Sequence, residues 1–163
     1  MKLAVALVFL LSVGPLLACR CGERPSVTQA TEACDLIFVG RVTKMVLEER
    51  PAGELNGRQV FREVVVCEFT GLEVFKGPDI EAKHVSVETA PAVPACGFPF
   101  EIGNEYLVYA KLGARGFTTD ICTRTRARYK APPGQENVDI AKLKFDDAMI
   151  TEVPAIQKEL RKK

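Results

Sequence analysis

Two cysteines separated by one residue, Cys19 and Cys21, stand where an apolar stretch ends, and they are the first place in this 163-residue sequence where chemistry could concentrate. Before them, Lys2 supplies one positive charge and Leu3 to Leu17 is apolar apart from Ser12, Gly14 and Pro15, the pattern of a secretory signal peptide over residues 1–18. Cleavage after Ala18 would make Cys19 the first residue of a secreted, extracellular chain and give it a free α-amine. Leu16-Leu17-Ala18-Cys19 also approximates a bacterial lipobox, a route that would lipidate Cys19 and anchor the protein at an envelope. About 15 apolar residues fall short of the ~20 that a membrane span needs, so no membrane span is expected.

The remaining chemistry-bearing residues narrow the choice. All six cysteines (Cys19, Cys21, Cys34, Cys67, Cys96, Cys122) follow the leader, and an even number in an exported chain reads as three disulfides. Cys19 and Cys21 are too close for an easy mutual bond, so each should reach a distant partner and pin a terminus that would otherwise fray. Metal binding by the six is disfavoured, because no Cys-x-x-Cys knuckle occurs and the spacings of 2, 13, 33, 29 and 26 are not those of zinc sites. His84 is the single histidine, and no nucleophile elbow, metalloprotease helix, P-loop or dinucleotide fingerprint is found. The chain therefore reads as a non-enzyme with no cofactor of its own. Arg124, Arg126, Arg128 and Lys130 recur with period two, which on an extended chain puts four cations on one face. Outside a cell such a face would suit a glycosaminoglycan of the matrix, but it lacks the interleaved aromatics that nucleic acid needs, and a basic face neutralised by nearby acids is the favoured reading. Lys2 is the only charge in the leader, so the 22 basic and 21 acidic residues of the whole leave 21 of each after cleavage. No global field invites nucleic acid or an anionic membrane.

The elements that must hold these residues can be read from patterning. Removing 18 of the 163 residues leaves 145, enough for one self-supporting core. Ser26 with Gln29 three positions on forms a capping box, which predicts a short helix running towards Cys34. Asp35 to Val46 reads as a buried strand, Glu48 to Arg58 as an exposed loop or hairpin end, and Val60 to Phe75 as a second strand with a bulge at Gly71. Lys83 to Thr89, Glu105 to Ala110 and Gly116 to Cys122 supply three more strands. Val138, Ile140, Ala141, Leu143, Phe145, Ala148 and Met149 recur at helical spacing, Pro154 breaks that pattern, and Ala155 to Lys163 reads as a last helix. The expectation is a mainly β fold: a five-stranded OB-fold barrel over residues 19–130 with short flanking helices, stapled by disulfides, and a C-terminal helical extension, residues 131–163, packed on it.

Several of these segments together carry a resemblance. Cys19-Arg20-Cys21, Asp35 to Val42, Val74-Phe75-Lys76-Gly77, Ala95-Cys96-Gly97-Phe98, Gly103 to Ala110 and Asp120-Ile121-Cys122 resemble, in order and spacing, the netrin-like module of the tissue inhibitors of metalloproteinases, in a single-domain form. The resemblance implies disulfides Cys19–Cys96 and Cys21–Cys122, and leaves Cys34 with Cys67 by elimination. It also implies a partner and a mechanism. The catalytic zinc of a secreted or membrane-bound metalloproteinase keeps one position open, and the amine and carbonyl of Cys19 would fill it in trans as a five-membered chelate. An amine with a reference pKa of ~7.7 to 8 deprotonates at little cost near neutral pH. Arg20 would enter the specificity pocket where the family carries a small hydroxyl residue, which calls either for a protease with an acidic or long open pocket or for weak inhibition of the family's usual targets. Cys21, Gly22 and Glu23 would continue the contact ridge, flanked by Val93, Pro94 and Ala95.

Overall fold

The computed structural model describes residues 19, 21–78, 84–91, 95–128 and 147–162. The expected leader, Arg20, Val93, Pro94, Lys130 and the apolar repeat from Val138 to Phe145 lie outside the described residues.

The chain is mainly β. In order come helix α1 (Val27–Ala33), strands β1 (Leu36–Leu55), β2 (Arg58–Lys76), β3 (Val85–Thr89), β4 (Glu105–Gly113), β5 (Gly116–Thr118) and β6 (Arg126–Ala127), then helix α2 (Asp147–Leu160). β1 runs antiparallel to both β2 and β4, β2 antiparallel to β3, β3 parallel to β5, and β5 antiparallel to β4, so five strands close into a ring. The two-residue β6 adds to β4 outside that circuit.

Alternation builds two cores from one strand. On β1, Leu36, Phe38 and Val42 turn to a cluster shared with Cys67, Phe69, Val85, Val87, Tyr106, Val108 and Ala110. Ile37 and Val39, one residue out of phase, join Leu107, Tyr109, Ala30, Cys34 and Ile156 beneath the two helices. A strand covered on both faces needs an unbroken apolar run, which is why Leu36 to Gly40 shows no polar residue. Four aromatic rings, Phe38, Phe69, Phe100 and Tyr106, meet edge to face with centroids 4.9 to 5.2 Å apart in the first cluster.

Helix α1 begins as the sequence predicts. The Ser26 side chain accepts from the Gln29 amide and the Gln29 side chain accepts from the Ser26 amide. At its other end Lys76 donates to the Thr31 carbonyl at 2.6 Å and to the Cys34 carbonyl, satisfying groups the helix leaves open.

The segment Glu48 to Arg58 is a hairpin end whose strands persist further than expected. β1 pairs β2 up to Leu55↔Arg58, turning at Asn56 (φ 52) and Gly57 (φ 74), both in the left-handed region that a tight two-residue turn requires. Pro51 sits within the ladder because, among the described residues, β1 beyond Arg41 pairs on one side only, where a missing amide costs no second ladder. Gly71 (φ 63) marks the bulge expected there: Val39 faces Glu73 and Arg41 faces Thr70, leaving Gly71 and Leu72 opposite Gly40.

Three expectations are corrected. The fifth strand stops at Thr118, because the Asp120 side chain accepts the amides of Cys122 and Thr123 and turns the chain. Pro154 does not break the C-terminal helix, which runs through it to Leu160 with Pro154 exposed, where water can stand in for the absent amide. Cys34 and Cys67 are not bonded. Both are buried free thiols, one beneath the helices and one in the other cluster, on opposite faces of β1.

Candidate functional site

Both cysteines of the Cys-x-Cys pair are tied to distant loops. Cys19 bonds Cys96 and Cys21 bonds Cys122, with Cα–Cα separations of 5.3 and 5.1 Å that ordinary disulfide geometry accommodates. The two partner loops are themselves joined, since the Ile121 amide donates to the Cys96 carbonyl at 3.0 Å. Residues 19 and 21 therefore lie across one rigid platform, with Cys19 half-buried and Cys21, Gly22 and Glu23 exposed.

Each half of the platform has its own anchor. Cys96 has φ 66, a backbone state worth ~1–3 kcal/mol of strain for a residue with a Cβ. Its C-terminal neighbours hold it there: the Phe98 amide donates to Thr89 Oγ1 at 2.8 Å, and Phe98 and Phe100 insert their rings beside Tyr106 in the interior cluster. Ala95, exposed, flanks it. Cys122 sits in a loop knit by hydroxyls. Thr119 Oγ1 donates to the Tyr109 carbonyl at 2.8 Å, Thr125 Oγ1 lies 2.8 Å from Thr119 Oγ1 and accepts from the Tyr109 amide at 3.0 Å, and Thr123 Oγ1 donates to the Asp120 carbonyl at 2.8 Å. Thr119 and Thr125, both buried, and the half-buried Thr123 satisfy one another and the β4 backbone, which fixes the loop without a regular strand.

Behind the platform lies a buried ion cluster. Glu152 of α2, 3% exposed, accepts from Arg124 Nε at 2.7 Å, from Arg124 Nη2 at 3.0 Å and from the Tyr109 hydroxyl at 2.8 Å, and Arg126 Nη1 stands 3.2 Å away. Arg124 also donates through Nη1 to the Pro25 carbonyl at 2.6 Å, and Arg24 donates to the Arg124 carbonyl at 3.3 Å. The hydrogen bonds to Glu152 raise the pKa of Arg124, whereas burial, then proximity to Arg126 and Arg124, lowers that of Arg24. Burial, followed by the Glu152 charge, holds the Tyr109 phenol neutral well above its ordinary range. Arg128 pairs with Glu105 at 2.7 Å. The period-two cations Arg124, Arg126 and Arg128 are thus each met by a carboxylate, and they do not form the free cationic face considered from sequence for a glycosaminoglycan.

The sulfurs of Cys19, Cys21 and Cys122 lie within 4.8 Å of one another, but all three are bonded in disulfides and offer no thiolate to a metal. His84 is exposed at the start of β3. Among the described residues no helix is long and apolar enough to cross a membrane.

Sequence reasoning located the two cysteines and the loops that face them. It missed Glu152, whose partners Arg124 and Tyr109 are 28 and 43 residues away, and the threonines, whose spacing fits no motif. Set beside known proteins, the chain matches no family model and no curated protein.

Proposed function

We propose that this protein is a secreted inhibitor of zinc metalloproteinases, which acts once residues 1–18 are removed. The closed ring of five strands, with β3 parallel to β5, is read as an OB-type barrel of the netrin-like kind, and the Cys19–Glu23 segment as its contact ridge. The α-amine nitrogen and carbonyl oxygen of Cys19 replace the water on the protease zinc. Arg20 enters the specificity pocket, and Cys21, Gly22, Glu23 and the segment Val93-Pro94-Ala95 pack alongside.

The observation that carries this reading is the double tether: two disulfides from residues 19 and 21 to two loops that are hydrogen-bonded to each other. Ordering a free terminus costs about 1–2 kcal/mol per residue, and a segment already fixed avoids most of that on binding. Such an arrangement suits a group that must present two atoms to a metal.

The test compares the mature chain with a variant carrying one extra Ala before Cys19, against a panel of zinc metalloproteinases. The extension removes the free amine from Cys19 and leaves the barrel alone, so inhibition should fall by at least ~100-fold, about 2.8 kcal/mol at 1.4 kcal/mol per decade. Equal potency would overturn chelation. Mass measurement of the natural N-terminus decides the lipid-anchored route, because a diacylglyceryl thioether uses the Cys19 sulfur that the bond to Cys96 needs, and an acylated amine leaves no nitrogen for the metal.

A second reading, a non-inhibitory extracellular binding module, is favoured by the β1–β2 hairpin. Leu47, Leu55, Val60 and Phe61 are 57, 65, 40 and 53% exposed there, an apolar surface beyond the ring. Undiminished partner binding by the extended variant would favour it.

A further inference from the structure

We infer that Glu152 of α2 is a positioning residue for the contact ridge, reaching it through Arg124 and Pro25. The consequence for inhibition rests on the function proposed above; the positioning itself does not.

Helix α2 has enough apolar contact to dock without a buried charge. Ile156 is fully buried, and Val153 and Leu160 pack against the same cluster. A buried carboxylate adds desolvation cost to such docking, and ion pairs of this kind are weak sources of stability compared with apolar packing. Its geometry points to another role. One carboxylate takes two donors of the Arg124 fork, which leaves Nη1 of the same guanidinium aimed at the Pro25 carbonyl. Pro25 lies four residues beyond Cys21, whose disulfide partner Cys122 is two residues before Arg124. The segment from Cys21 to Pro25 is thus held at one end by a covalent bond and at the other by this guanidinium, with Arg24 adding a bond to the Arg124 carbonyl.

The charge balance makes the hold conditional on Glu152. Arg24, Arg124 and Arg126 are close enough to depress the first of them, and Glu152 is the carboxylate that meets both Arg124 and Arg126. With a neutral amide at 152, three guanidinium groups face one another at a partly buried site. The relief is for Arg124 or Arg24 to turn to water, and either movement releases Gly22 to Pro25.

Two variants of the mature full-length chain test this. Glu152→Gln removes the balancing charge. Arg124→Lys keeps a cation beside Glu152, but one ammonium cannot reproduce the fork that spans Glu152 and Pro25. Backbone order parameters at Gly22, Glu23 and Arg24 should fall from about 0.8 or above to about 0.6 or below in both, while those of Phe38 and Val108 stay at the rigid value of about 0.85. Inhibition should weaken about tenfold, the equivalent of one residue's ordering cost. A third variant replaces Glu152, Arg124 and Arg126 together with Met, which removes the charge imbalance without restoring the Pro25 bond. It should recover thermal stability while residues 22–24 remain loose. Unchanged order at 22–24 in Glu152→Gln and Arg124→Lys, or full recovery of ridge order in the triple variant, overturns the positioning role. If the wild-type chain inhibits no metalloproteinase, the functional proposal fails, yet the order parameters still decide this one.

Discussion

A thiol in an apolar cluster can be neither a nucleophile nor a ligand unless it can ionise, and the two unpaired cysteines are placed where ionisation is most costly. Cys67 is fully buried among Phe38, Phe69 and Val87, and burial pushes its pKa up to about 12. Cys34 is buried beneath the helices, and burial raises its pKa against the partial opposition of Lys111 and Lys76. The thiolate is the reactive form, so both should be inert in the native protein. At about pH 8 a soluble thiol reagent should label neither residue while the chain is folded, and two thiols per chain once it is dissolved in concentrated guanidinium without reductant. Two labelled native thiols would place these residues at the surface. None after unfolding would mean that a third disulfide joins them after all.

At the scale of elements, the β1–β2 pair decides how the ring is bent, and its glycines separate strain from crowding. Gly53 and Gly77 have nearly the same backbone state, φ 143 and 146, which side chains other than glycine's rarely adopt. A Cβ on Gly53 would meet nothing within 4 Å, whereas one on Gly77 would come 2.6 Å from Cδ1 of the fully buried Leu36. Gly53→Ala should therefore cost about 1–3 kcal/mol from backbone strain alone. Gly77→Ala should cost about 1–3 kcal/mol more from overpacking, as urea unfolding of the two variants would measure. Equal losses would show that Leu36 gives way. Much at this scale was legible: the capping box at Ser26, the unbroken apolar run that starts β1 and the bulge at Gly71 each have a local cause written in adjacent residues. The illegible parts depend on tertiary context or on a side chain taking amides that a strand would otherwise use. Pro51 stays in a strand because its outer edge has no neighbour among the described residues, β5 ends early because Asp120 captures two amides, and Cys34 and Cys67 stay apart because β1 stands between the faces they occupy. The candidate site divides in the same way, with Cys19 and Cys21 visible in their spacing and Glu152 invisible until α2 is laid over Arg124.

Taken as a whole, the molecule is two apolar clusters separated by a shared strand wall, and its neutral acids are concentrated inside them. Burial is the largest cause of a raised pKa at Cys34, Cys67, Tyr106 and Tyr109. In the unfolded chain cysteines lose their protons near pH 8.5 and tyrosines near 10, while the folded chain keeps them longer. Above those values the unfolded state binds fewer protons than the native state, so stability falls as pH rises, by up to about 1.4 kcal/mol per pH unit for each group. Below about pH 8 all four are protonated in both states and contribute no slope. The urea midpoint should accordingly be insensitive to these groups between about pH 6 and 8 and drop steeply between about 9 and 12. In a Tyr129→Phe variant, whose tyrosines are Tyr106 and Tyr109, the ultraviolet signature of tyrosinate should appear together with loss of the β-sheet signal, because these two can ionise only when the clusters open. Cys67→Val removes one of the four groups and should make the alkaline decline shallower by about one proton's worth. Tyrosinate forming at about pH 10 in that variant with the sheet signal intact would show that water reaches the rings of the folded protein, and that the clusters are not closed in solution.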